Sequence, residues 1–187
     1  MKKRSDKRNN KKVTPNKNKV YYLFLRYIII LLFGLWNLSI FYKIFTPLTT
    51  HFAGFILNLF SPTTIMGNII LFKSISLELI PACVAGSAYY LLLILILSTP
   101  NIEVFKRIKL ILISLMSLFI LTSLRIVILA LIAQTSYFQQ FHMLFWYLVS
   151  TLFVVIIWIS IIKIYKIKSI PIYSDIRYLL SLSKQYR

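Results

Sequence analysis

The chain has 187 residues, 59% of them hydrophobic, with four acids (Asp6, Glu78, Glu103, Asp175) and a formal net charge of +18. Several apolar runs of about 20 residues exclude an ordinary water-soluble domain and place the chain among polytopic helical membrane proteins. The positive charge is clustered, with nine of the 22 Lys and Arg before Val20, three within 106–109 and six from Lys163 onward, a pattern that reports membrane topology and contact with anionic lipid rather than nucleic-acid binding.

Residues 1–19, nearly all Lys, Arg, Asn and Ser, cannot bury a core and read as a disordered basic cytoplasmic tail. Residues 20–44 read as a first span running from inside to outside, with no small-residue cleavage site after it, hence a retained anchor. From 45 to 66 the apolar chain is punctuated by Thr46-Pro47 and Ser61-Pro62. The stretch between them is too short to cross a hydrocarbon core of about 30 Å, which predicts a re-entrant or interfacial helix, with a fifth, tilted span as the alternative.

After Gly67-Asn68 the residues Lys73, Ile75, Leu77 and Leu79 alternate with Ser74, Ser76, Glu78 and Ile80. Period-two alternation predicts a short extracytoplasmic strand or hairpin arm, or an extended loop, leading into Pro81. Residues 82–98 then run back inward as a helix with Cys83, Ser87 and Tyr90 on one face. Thr99-Pro100-Asn101 ends it, and Lys106, Arg107 and Lys109 mark a cytoplasmic loop. Residues 108–134 form the next span, with Arg125 roughly 26 Å from its inner end. A short outer loop leads to His142, which opens the last span, 143–162. Residues 169–187 make a basic cytoplasmic tail with a short amphipathic helix at 174–182. The expected fold is therefore all-α and polytopic, with about four full spans plus the 45–66 segment, in a single domain over 20–168.

Three residues converge at the outer ends of consecutive spans: Cys83, Arg125 and His142. Pro81 in the first turn would leave Cys83 among free helical amides, which favour a thiolate and can hold an oxyanion. His142 can take the thiol proton and return it to a leaving amine, and Arg125 can stabilise a tetrahedral intermediate. Each has an ordinary explanation taken alone: an inert buried cysteine, a snorkelling arginine, an interfacial histidine. Glu78 is the one acid that could orient His142, and it could equally pair with Arg125 or face water. Ser87 is a supporting candidate, and His51 has no partner at helical spacing. No metal- or cofactor-binding pattern is present.

The Pro81-Ala82-Cys83-Val84-Ala85-Gly86-Ser87 motif, Leu124-Arg125-Ile126 in the next span and Phe141-His142-Met143 at the start of the one after resemble the exosortase/archaeosortase family. The spelling around Cys83 is similar to that of a small archaeal, pacearchaeosortase-like subfamily. The match covers roughly 20–165 in order of features. It departs at Gly86, which follows the cysteine by three positions where many members have it at two. The resemblance implies a membrane-embedded transpeptidase with Cys83 as nucleophile, Arg125 as electrostatic stabiliser and His142 as acid/base. It further implies substrates that are secreted proteins ending in a short motif, a transmembrane helix and a basic tail, and transfer to a lipid or other envelope acceptor. Two rival readings use the same residues: a non-catalytic membrane assembly subunit, and an intramembrane cysteine protease or acyltransferase. A transporter is disfavoured by the few spans and the absence of a repeat.

Overall fold

The computed structural model describes residues 17–35, 38–100, 102–146, 150–167, 175–176 and 180. Most of the basic N-terminal tail and of the C-terminal tail, including most of the expected 174–182 helix, lies outside these residues. The described chain is mostly helical, with α1 (Lys17–Leu35), α2 (Ser39–Asn58), α3 (Pro81–Val84), α4 (Gly86–Leu97), α5 (Val104–Ile132), α6 (Phe138–Leu144) and α7 (Ser150–Ile164). Between α2 and α3 it forms an antiparallel sheet in the order β1 (Thr63–Met66), β2 (Ile69–Phe72), β3 (Ile75–Glu78). Two helices, α2 and α5, are long and apolar enough to cross a membrane. Four full spans are not supported, because α1, the Pro81–Leu97 segment and α7 are apolar but shorter.

Helix α5 has its polarity turned inside out. Ile108, Leu112, Met116, Ile120, Leu124 and Ile128 recur every fourth residue on the exposed side, whereas Ser114, Thr122, Ser123 and Arg125 are buried. An apolar stripe of that length would aggregate in water and suits lipid, so the pattern points to a membrane protein. The buried hydroxyls are partly served by the helix itself, as where Ser114 Oγ donates to the Leu110 carbonyl at 2.6 Å.

The expected first span, 20–44, is broken. α1 ends at Leu35 and Leu38 adopts a left-handed conformation (φ 58°) before α2 begins. Arg26 of α1 lies against Thr99 at one end of the bundle, and Phe41 and Phe45 at the start of α2 stack on Tyr89, the latter at 4.0 Å between ring centres. Ala53 and Leu57 near the end of α2 join Val127 and Ala130 of α5 in a second core. Of the two alternatives for 45–66, the interfacial helix is corrected: residues 45–58 belong to α2, which is long and apolar enough to cross a membrane, as the tilted-span alternative has it, and 63–66 form β1. Pro47 lies inside α2 instead of ending it, a placement that costs one ladder bond and is offset here by packing against α5.

The sheet extends the alternation expected for 73–80 to three strands. Met66 pairs with Ile69 across the Gly67-Asn68 turn, and Phe72 pairs with Ile75 across Lys73-Ser74. Lys73 (φ 45°) and Ser74 (φ 66°) are both left-handed, whereas in the other turn Gly67 (φ 62°) alone is; both patterns suit two-residue hairpins of right-handed twist, with glycine at the first position where only that residue is left-handed. Ile70 and Phe72 point into the second core beside Leu57, Leu79 and Ile126. Gln134, just past α5, donates to the Lys73 carbonyl at 3.2 Å, so the sheet is tied to the end of α5 where Arg125 lies.

Candidate functional site

The expected helix over 82–98 is interrupted immediately after Cys83. Pro81 opens α3, where its missing N–H costs nothing. One turn later Ala85 is left-handed (φ 58°), and α4 restarts at Gly86. Cys83 therefore sits on a separate helical turn, and its amide is spent on the Ile80 carbonyl at 2.8 Å. This corrects the expectation that Cys83 would lie among free amides.

Gly86 is required by a close approach. A Cβ there would stand 2.6 Å from ring carbons of Tyr42, contributed by α2. The bare backbone lets this ring lie on the break and form a wall of the adjacent cavity.

That cavity, of about 470 Å³, is bordered by Cys83, Arg125 and His142, together with Tyr42, Ser87, Trp146 and several small or aliphatic side chains. The three residues singled out from the sequence thus meet at one space, on α3, α5 and α6. Cys83 and His142 are partly exposed, whereas Arg125 is 6% exposed. Arg125 Nη2 donates to the Cys83 main-chain carbonyl. A guanidinium hydrogen bond of this kind contributes about 1.5–3 kcal/mol and pins the turn that carries the thiol.

His142 is expected to open the last span, 143–162; helix is described from Phe138 through 146 and again from Ser150. The residue lies on the seven-residue α6, ahead of α7. Its ring stacks on Phe138 at 5.6 Å and meets the edge of Trp146 at 5.9 Å. These aromatic contacts hold the ring in place. Glu78 is exposed at the end of β3 and absent from the cavity wall, and no carboxylate lines the cavity among the described residues. Of the three alternatives for Glu78, this geometry fits the one in which it faces water. Ser87 does reach the wall. Tyr90 does not, because the break at Ala85 rotates α4; its hydroxyl instead donates to the Ile30 carbonyl at 2.9 Å. His51 is exposed and stands apart from the cavity.

Two contributors were missed from sequence. The spacing Phe138-His142-Trp146, four residues apiece, was visible as a helical stripe. Tyr42 lies more than 40 positions from Cys83 and carries no local signal. No group of three metal-ligating side chains occurs among the described residues. Chemically, the cavity offers a thiol, an imidazole able to exchange its proton, and a fixed positive charge, in apolar walls that strengthen electrostatic interactions. Compared with known proteins, the chain matches no family model, no curated protein and no solved structure.

Proposed function

We propose that the protein is a membrane-embedded cysteine transpeptidase of the exosortase/archaeosortase kind, which cleaves the C-terminal sorting signal of exported proteins and passes them to an envelope acceptor. The observation that carries the reading is that Cys83, Arg125 and His142, from three separate helices, border one cavity. In the proposed reaction His142 removes the Cys83 thiol proton, and the thiolate adds to the scissile carbonyl. Negative charge then develops on the carbonyl oxygen near the Arg125 guanidinium, fixed beside the Cys83 carbonyl. Collapse expels the amine, which takes the proton from His142 and leaves a thioester on Cys83. An acceptor nucleophile, deprotonated by His142, attacks the thioester and restores the thiol.

The placement of charge supports an extracytoplasmic site. Lys106, Arg107, Lys109 and Lys163 lie toward the ends of α5 and α7 remote from the cavity, and α1 with α2 makes one bent passage between the two ends. By the positive-inside rule the basic end, with both termini, is cytoplasmic in a multi-pass protein of the cell membrane. The 20–168 region would then form one catalytic domain.

The rival subunit reading is favoured by one observation, the engagement of Arg125 with main chain, which packing alone would also use. Processing of a tailed secreted protein in membranes holding wild type, Cys83→Ala, Arg125→Ala or His142→Ala separates the two. The proposal expects Cys83→Ala and His142→Ala to insert normally and yield no product. Normal processing by Cys83→Ala would transfer the case to the subunit reading. Release of a free carboxylate in place of an acceptor conjugate would indicate a protease.

A further inference from the structure

At the end of the bundle remote from the cavity, two arginines converge on one oxygen. Arg26 Nη1 of α1 and Arg107 Nη2 of α5 both donate to the Thr99 main-chain carbonyl, at 3.2 and 2.9 Å. Arg26 Nη2 also pairs with Asp175 at 2.7 Å, and the Tyr27 hydroxyl donates to the same carboxylate oxygen at 3.2 Å. The ion pair is nearly enclosed, with side-chain exposures of 11% and 8%. Arg107 Nε is buried and has no hydrogen-bond partner.

Among the described residues, two like charges beside one carboxylate leave one positive charge unmatched on the half-buried Arg107, and such a charge calls for a counter-ion. The chain has few to offer. Glu78 is on the sheet at the opposite end, and Glu103 bridges to exposed Lys106 at 3.0 Å. Beyond Asp175 only Asp6 remains among the four acids, against 22 Lys and Arg.

We propose that Arg107, beside Arg26, binds a phosphate-class anion. The guanidinium fork matches two phosphate oxygens, and Nε–H with an adjacent Nη–H is the edge that a bidentate contact uses. Lys106 and Lys109 add attraction on the same turn of α5. Ile108 and Leu112, on the face of α5 adjoining that of Arg107, are exposed and apolar, so a phospholipid with its phosphate at Arg107 would lay its acyl chains along that neighbouring face. The lipid source rests on the membrane assignment, whereas the anion site is independent of any chemistry at Cys83.

The test uses the full-length protein in nanodiscs of phosphatidylcholine alone, of phosphatidylcholine with phosphatidylglycerol, and of phosphatidylcholine with inorganic phosphate added. The unfolding midpoint is read in each. Phosphatidylglycerol should raise it by about 3 °C. Arg107→Gln should abolish that increment, while Lys163→Gln, which removes an equal charge at an exposed position of α7, should keep it. A rise with inorganic phosphate instead, equally lost in Arg107→Gln, would assign the site to a soluble phosphate. Because only the increment is read, a lower starting midpoint in Arg107→Gln does not matter. If that variant fails to insert, Arg107→Lys, which keeps charge and loses the fork, should show a reduced increment. No rise with either anion, or a full rise in Arg107→Gln, overturns the proposal.

Discussion

Two arginines are largely enclosed in this bundle, and their surroundings differ. Arg26 has a carboxylate partner, Asp175, and a tyrosine hydroxyl donating to the same oxygen. Arg125 donates to a main-chain carbonyl, and the cavity it borders has no carboxylate among the described residues. Asp175 pairs with Arg26, whereas Arg125 holds the main-chain carbonyl of the turn that carries the thiol and borders the cavity. The first arrangement suits a structural tie and the second a site for developing negative charge.

Substitution at each end should break this contrast differently. The largest effect is expected from Cys83→Ala, with product formation falling about a thousandfold or more while insertion and the unfolding midpoint stay as in wild type. Asp175→Ala should do the reverse. It strands the Arg26 charge and should cost about 3–5 kcal/mol in denaturant unfolding, with alkylation of Cys83 by iodoacetamide proceeding at the wild-type rate. Arg125→Gln should fall between, losing about 1.5–3 kcal/mol and also altering the alkylation rate, because the turn carrying the thiol is released. An unchanged rate would mean that the Arg125 contact does not position Cys83.

A smaller effect tests the break after Cys83. Gly86→Ala should cost about 1–3 kcal/mol by forcing the Tyr42 ring away, and pairing it with Tyr42→Ala should recover part of the loss. Full additivity of the two changes would show that the ring and the break are not coupled. The smallest expected change is Phe138→Ala, which removes the stack on His142 at about 0.5–1.5 kcal/mol beyond lost burial. It should slow product formation more than it shifts stability.

The same contrast shows what could be read from the chain. Helix α5 was legible because it is a long apolar run at the basic cluster of Lys106, Arg107 and Lys109, and counting along it placed Arg125 near the end shared with Cys83. The candidate trio followed from such counting, since a single helix carries its own ruler. Breaks in helices were harder. Leu38 and Ala85 adopt left-handed conformations without being glycine, and only tertiary packing, such as Tyr42 on Gly86, decides where such a kink falls. Pro47 misled in the opposite direction: a proline usually ends a helix, but the α2–α5 packing carries the helix through it. Strands β1 and β2 are short apolar runs, Thr63–Met66 and Ile69–Phe72, that a buried helix would fit equally well. Arg26 and Asp175 are separated by 149 positions, and no local pattern joins them.

The central claim is that Cys83 carries a covalent acyl intermediate. The most direct measurement is mass spectrometry of the Cys83 peptide from membranes in which a tailed substrate is being processed, with and without hydroxylamine. The account predicts a substrate-derived acyl adduct on Cys83 that hydroxylamine removes and that accumulates when the acceptor is withheld. A Cys83 peptide that stays unmodified while processing continues would contradict it.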